Sequence, residues 1–300
     1  MPPAAAPVVP SDRAAGYTGT MPIDPSWRYP VKSMIGERVE QADVAGTGIV
    51  GDRVWAVRDQ VRGGIRGAKV LGALLRLAAR ARSGPGGPVV ITLPDGTEVR
   101  ADDPDAGRLV SAAIDHEVTL ESLRPAEDRE HYRRGAPYHD DLMEELRSIF
   151  GRTEDEPLPD LTALPPEILE YESPPGTYHD AYPLMIMTTS ALRSLREALP
   201  GSVVDVRRFR PSVLVDTGDA PGHPEMGWVG RRLRIGSVEV EVRTPCPRCV
   251  MVTREIDAEV PEDRAILRHI VRDLDQNVGV YADVVRTGTI RTGDPVAVVG

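Results

Sequence analysis

Apolar and polar positions alternate along much of the first hundred residues. Between Ile23 and about Arg100, the segments RYPVKSM, GIVGDRVWAVRD and PVVITLPDGTEVRA follow this pattern, and the last has a Pro-Asp-Gly turn at its centre. A period of two predicts short, half-buried strands. One stretch breaks it. In GAKVLGALLRLAARARS (67–83), Val70, Leu71, Leu74, Leu75, Leu77 and Ala78 suit a helical face, so a helix is expected, with a buried strand as the alternative. A short amphipathic helix is also expected from Asp105 to Ile114.

Residues 125–177 are polar and punctuated by proline. One helix is expected there, from about Asp140 to Phe150, and PLPDLTALPPEILEYESPPG reads as a covering loop or linker. Beyond it, YPLMIMTT predicts a buried strand and SALRSLREAL a helix with Ser190 as N-cap. VDVRRFRPSVLVDT, RLRIGSVEVEVRTP and CVMVTREI predict strands, EDRAILRHIVRDL a helix, and NVGVYADVVRTGTIRTGDPVAVV two closing strands. Many short strands joined by Gly and Pro turns, with few helices, imply a mainly β, α+β fold built on β-barrel-like domains. The expected division is a disordered leader (1–21), an N-terminal β-barrel domain (22–124), an irregular and helical insertion (125–177) and a second barrel domain (178–300).

Composition narrows the function. The formal charge of −10, from 36 basic and 46 acidic residues, argues against non-specific nucleic-acid binding, which needs a basic surface. No segment approaches the apolar length of a membrane span. The opening MPPAAAPVVPSDRAAGYTGT lacks the basic start and apolar core of a signal peptide, so a cytoplasmic protein is expected. With Cys246 and Cys249 as its only cysteines, the chain has neither a disulfide framework nor enough thiolates for an iron–sulfur cluster. The six histidines are scattered singly, and none is assigned to a metal.

The cysteines lie in TPCPRCVMV, with Arg248 between them. A guanidinium stabilises a neighbouring thiolate, the form that attacks or ligates. Zinc would need four ligands. A thioredoxin-type pair wants a helix N-terminus straight after the motif, whereas CVMVTREI reads as a strand. Two buried apolar cysteines and a single soft thiolate for a redox metal remain as readings. In VDVRRFRPS, strand alternation would put Arg208 and Arg210 on one face, opposite Arg207 and Phe209. Such a pair suits bidentate capture of phosphate or pterin edges, with ion pairs to surface carboxylates as the plainer alternative. Lys32, which with Lys69 makes up all the lysine in the chain, sits beside Ser33 at a strand end.

Six segments occur in a telling order: YPVKSMIGE, GDRVWAV, HDAYPLMIM, VRRFRPS, CPRC, then NVGVYADV with GTIRTGDPV. Together they resemble the MOSC (molybdenum cofactor sulfurase C-terminal) proteins that carry an N-terminal MOSC β-barrel domain, a group that includes the mitochondrial amidoxime reducing component. The resemblance spans nearly everything from residue 23 onward, except 125–170. It implies a monomer whose two domains clamp a molybdopterin, with Cys249 as the molybdenum ligand and Arg248 beside it. It implies cofactor contacts from Lys32, Ser33, Arg53 and Arg210, and places Arg208 and Ser212 in the same segment as Arg210. Ser212 replaces the usual Asn and reaches less far; Ala181 and Tyr182 replace the Thr-Ser pair of the mitochondrial reductase. Pyridoxal phosphate binding accompanies the family as an attribute.

The activity so implied is reduction of N-hydroxylated compounds (amidoximes, hydroxylamines, N-oxides) by oxygen-atom transfer to molybdenum. Electrons would come from a separate ferredoxin or cytochrome b5-type donor with its reductase. The alternatives are a sulfur carrier holding a Cys249 persulfide and a cofactor-binding module without turnover.

Overall fold

The computed structural model describes residues 21–299; apart from Met21, the expected leader lies outside the described residues. A seven-stranded sheet dominates, in the spatial order Met21–Pro22, Pro295–Val298, Arg232–Ile235, Val238–Pro247, Asn277–Arg286, Leu184–Thr188 and Val213–Val215. Leu184–Thr188 and Val213–Val215 run parallel, and the other neighbours are antiparallel. Ile23 then bridges to Val215, and the Asp216 amide donates to the Pro22 carbonyl. The sheet is thereby rolled into a nearly closed barrel, which removes its exposed edges. The mainly β architecture with a few helices is borne out.

The period of two decides what each strand faces. Leu184, Ile186, Val213, Val215, Leu233, Ile235, Val240, Val242 and Val280 fill the barrel. The intervening Met185 and Met187 point outward, into a second core with Leu192 and Leu195 of helix Thr189–Ala198 and Ile266, Leu267 and Ile270 of helix Arg264–Asp273. The first helix is capped by Thr188, whose hydroxyl accepts from the Ala191 amide, and not by Ser190. Thr188 is the last extended residue of the strand, so the geometry of an N-cap falls there; Ser190 lies one residue inside the helix, 2.8 Å from Thr217 Oγ1.

Small sheets build the N-terminal half: Glu98–Arg100 with Val89–Thr92 and Ala78–Ala81, Val118–Ser122 with Trp55–Asp59 and Ile65–Arg66, and Ser26–Arg28 with Glu37–Val39. They enclose Val31, Met34, Val57, Leu74, Leu77, Ile91 and Val110. The helix expected over 67–83 is instead a 3-10 turn, Gly72–Arg76, followed by the strand Ala78–Ala81. Pairing with Val89–Thr92 overrides the helical spacing, because one ladder both satisfies the backbone and buries Ala79 against the core. The helices at Ala106–Ile114 and Leu142–Phe150 form as expected. The chain ends in three strands, Asn277–Arg286, Gly288–Arg291 and Pro295–Val298, where two were expected.

The two halves interlock. Gly288–Arg291 pairs with Gln41–Ala45, and Met251, Ile256 and Val260 enter the N-terminal core while Val252 and Cys246 enter the helix-side core. The insertion is anchored by Tyr132, Tyr171 and Tyr178, which pack on Ala56 and Ile65. Tyr138 adds a hydrogen bond from its hydroxyl to buried Asp59 at 2.9 Å. Among the described residues no helix is long and apolar enough to cross a membrane.

Candidate functional site

The segments at Tyr29–Ser33 and Asp52–Arg53 are stitched together by their backbones. The Tyr29 amide donates to Asp52 Oδ1, the Arg53 amide to the Tyr29 carbonyl, and the Lys32 amide to the Trp55 carbonyl. Ser33, Arg53 and Arg210 all have positive φ, at 67°, 49° and 57°. Left-handed backbone at residues other than glycine is strained and persists where the surroundings over-determine it, often at functional sites. Here it turns Arg53 and Arg210 toward one cleft.

That cleft is narrow, about 70 Å³, and is lined by Arg53, Arg210, Ser212, Arg248, Cys249 and Tyr281 among others. Arg210 and Arg248 are buried. Arg210 donates to the Met34 carbonyl, and Arg248 to Cys246 Sγ at 2.9 Å and the Phe209 carbonyl at 2.6 Å. Arg210 Nη2 and Arg248 Nε are buried without a hydrogen-bond partner. Arg53 is matched by Asp52; neither Arg210 nor Arg248 has a carboxylate partner among the described residues. Burial, and then the like charge of Arg53, pushes Arg210 down to about 10. Buried cationic donors left unpaired are costly, and an anion in the cleft would satisfy them.

Cys249 is half-buried and lines this cleft. It caps a 3-10 turn, Val250–Thr253, and its side chain makes no capping bond. The strand expected for CVMVTREI is therefore a turn, because Met251 and Val252 must reach different cores. A single 3-10 turn is still not the helix N-terminus that a thioredoxin-type pair wants. Burial pushes the Cys249 thiol up, partly offset by the Lys69 ammonium, so coordination to a cation is what would ionise it. Arg248, expected to stabilise a neighbouring thiolate, donates its hydrogen bond to Cys246, and its charge also favours the ionised form of Cys249, after Lys69.

The other sequence candidates divide. Ser212 lines the cleft, its Oγ accepting from the Met185 amide at 3.3 Å. Lys32 stands behind the wall with its three donors used, on Asp180 Oδ1 at 2.6 Å, the Tyr178 carbonyl at 3.0 Å and Ser173 Oγ at 3.2 Å. Ser33 Oγ accepts from the Ala68 amide at 2.9 Å, and a side chain at Gly67 would approach that oxygen to 2.8 Å.

Arg208 borders the same cleft as Arg210, but its guanidinium is engaged elsewhere. Val206–Arg208 is a 3-10 turn, so strand alternation does not apply. The Arg208 guanidinium instead binds the carbonyls of Val203, Val252, Arg254 and Pro261. Arg207 pairs with Asp205 and Asp257.

Three residues join the site without having been singled out. Tyr29 lies under the guanidinium groups of both Arg53 and Arg210. Asp180 receives Lys32 and also Lys69, at 3.4 Å; burial alone would raise it, but the two lysines hold its carboxyl well below the usual carboxylate range. Tyr281 lines the cleft beside Cys249. All three fall inside the ordered sequence segments, which was the available signal.

Cys249, Asp180, Pro247 and Tyr281 also line a second, larger cavity of about 350 Å³ under the insertion. Cys249 thus lies between a cationic cleft and a cavity of mixed lining, apolar along the helix and charged at Arg66, Lys69, Arg134, Glu145, Glu172 and Asp180.

Residues 22–123 match the MOSC N-terminal beta barrel domain and residues 174–297 the MOSC domain. The mitochondrial amidoxime reducing component 2 of Macaca fascicularis and that of Homo sapiens are each 32% identical over 136 residues, which is 40% of this chain and 38% of theirs. The human mitochondrial amidoxime-reducing component 1 is 28% identical over 135 residues, 41% of this chain and 39% of its own. The match thus spans about two fifths of these relatives. Among solved structures, the YUAD protein of Bacillus subtilis aligns over 93% of this chain and 94% of its own, at 11% identity and a TM-score of 0.43.

Proposed function

The chain belongs to the MOSC-domain proteins that carry a MOSC N-terminal β-barrel domain, and from that premise we propose that it is a molybdenum cofactor-dependent reductase of N-hydroxylated compounds. One observation carries the reading: two buried guanidinium groups, each with an unpartnered nitrogen and no carboxylate partner, flank a half-buried thiol that makes no capping bond. A phosphorylated pterin fits this donor set, since paired guanidinium forks suit phosphate and planar acceptor edges. Pyridoxal phosphate would use the same cations but would leave the thiol without a role, and Lys32 is already committed to Asp180.

Arg53, Arg210 and Arg248 would hold and neutralise the anionic group, Ser212 would add a short donor, and Cys249 would supply the soft ligand for the metal. When bound, the cofactor supplies the two-electron oxygen-atom chemistry. The chain's part is to orient it and to shape the approach to Cys249. Asp180, held ionised by Lys32 and Lys69, accepts hydrogen bonds from the N–H and O–H groups of an N-hydroxylated head. Reduction of such a group consumes two electrons and two protons and releases water, so an external donor of the ferredoxin or cytochrome b5 type, with its reductase, completes the cycle.

The test begins with protein made in a host with an intact molybdenum cofactor pathway. Metal analysis and pterin fluorescence should show near-stoichiometric loading. With reduced viologen, the loaded protein should convert benzamidoxime to benzamidine, and it should not oxidise NADH or NADPH unaided. Loaded protein that reduces no member of a broad N-hydroxylated panel, while Cys249 accepts sulfur from a cysteine desulfurase, would establish the sulfur-carrier role in its place.

A further inference from the structure

The helix Leu142–Phe150 is well made and yet fully buries none of its residues. Asp141 caps its start by accepting from the Glu144 amide, and Gly151 ends it in left-handed geometry at φ 63°. Its apolar residues Leu142, Leu146, Ile149 and Phe150 fall at i, i+4, i+7 and i+8, the spacing of a core-facing stripe. No residue of the helix is buried, however, and all four of these line the cavity under the insertion. Leu164 and Ile168 line the same cavity. An amphipathic helix normally gains its stability by burying such a stripe; this one holds it against open space that ends at Cys249.

The far end of the cavity is of opposite character. Asp180 there is ionised, and its side chain keeps 37% of its surface exposed despite two lysine partners. We propose that the insertion forms a tail-binding wall: the cavity takes N-hydroxylated substrates with an extended apolar substituent, which lies along the Leu142–Phe150 stripe while the polar head meets Asp180 beside Cys249. This rests on the reductase reading for the identity of the head and on the cavity alone for the tail. Small-molecule pockets commonly join an apolar lining to a few convergent polar groups in this way. The cavity has walls on the helix and on the turns beyond it, so it encloses a ligand rather than presenting a flat face.

The experiment separates the two claims. Calorimetry on the full, cofactor-loaded chain measures Kd for straight-chain amidoximes from acetamidoxime to octanamidoxime, and reduced viologen supports kcat/KM for the same series. Affinity should rise about three- to fourfold per added methylene until the wall is covered. Leu146→Asp with Ile149→Asp should flatten that dependence and leave acetamidoxime unchanged. Because neither Leu146 nor Ile149 is fully buried, circular dichroism should stay that of the wild type. Met143 is 48% exposed and does not line the cavity, so Met143→Asp should retain the full slope. A flat series in the wild type, or equal effects of the Met143 and Leu146 substitutions, would overturn the proposal. Tail-dependent binding without turnover would keep the wall and overturn the reductase reading instead.

Discussion

The guanidinium of Arg210 lies 4.1 Å from the ring centroid of Tyr29. Arg53 is stacked on the same ring at 5.3 Å, and the Tyr29 hydroxyl donates to the Pro211 carbonyl at 3.0 Å. The face of one tyrosine thus lets two like charges sit close together in a buried wall, since each is attracted to the ring quadrupole.

This arrangement predicts different costs for neighbouring arginines. Arg210→Ala should lower the molybdopterin content of purified protein about tenfold or more, because a charge-assisted bond to a bound anion is worth about 1.5–3 kcal/mol. Arg210→Lys should restore little, as an ammonium reproduces neither the planar stack nor the fork. Arg208→Ala should instead lower Tm sharply, by orphaning four carbonyls. Metal analysis alongside thermal melts distinguishes the two, and matching profiles would contradict the assignment.

His179 predicts a pH dependence of stability. It is buried, its Nε2 bonds the Thr47 carbonyl at 2.8 Å, and its Nδ1 faces Arg53 at 3.3 Å. Burial first, and the Arg53 charge second, push it down to about 4 from 6.5. The unfolded chain therefore binds the proton more readily than the native one between those values. Its stability contribution is complete above about pH 6.5 and is lost as the pH falls toward 4, by up to about 3 kcal/mol. Denaturant titrations across that range should show the loss, and His179→Gln should reduce the slope. An unchanged slope would place the titration elsewhere.

The sequence already carried most of this architecture where packing was the only demand. A continuous apolar run located the buried strand at Leu184–Thr188, alternation that at Val238–Pro247, and helical spacing Arg264–Asp273. It failed at Gly72–Ala81, Val206–Arg208 and Val250–Thr253. At the first of these a long-range ladder outweighs local spacing. At Val206–Arg208 the Asp205 side chain accepts the Arg207 amide and closes a tight turn, and at Val250–Thr253 the chain runs between two cores, so that a period cannot describe residues facing different partners. The site divided along the same line. The residue types around Cys249 were readable, but the assignment of Arg248 to Cys246, and the occupation of Arg208 and Lys32 by other groups, depend on contacts between distant segments.

The two cysteines should respond unequally. Cys246 is buried in the helix-side core and accepts from Arg248, so Cys246→Ala should cost roughly 1–2 kcal/mol of stability with the metal retained. Cys249→Ser removes the soft ligand and should abolish the molybdenum–thiolate signature in X-ray absorption, along with reductase activity. Equal loss from both changes would favour a dithiol or persulfide relay.

The insertion also reaches the cysteine loop directly, through Arg152. Its guanidinium donates to the Arg248 carbonyl at 3.1 Å and to Gln276 Oε1 at 2.9 Å, and it also binds the Phe150 carbonyl at the end of the cavity-lining helix. Arg248 donates its own amide to the Gln276 carbonyl, so one side chain ties the helix, the cysteine loop and the turn before Asn277 into a single unit. Arg152→Ala should leave each part folded but unhook the backbone that aims Arg248 and Cys249. The expected result is faster cofactor loss from loaded protein, by about tenfold, measured well below Tm as the decay of molybdenum content after gel filtration. A lysine keeps the charge but lacks the planar fork that spans these separated acceptors, so Arg152→Lys should give an intermediate rate. If Arg152→Ala lowers Tm while the cofactor leaves at the wild-type rate, the residue only props the insertion, and the link from helix to thiol is absent.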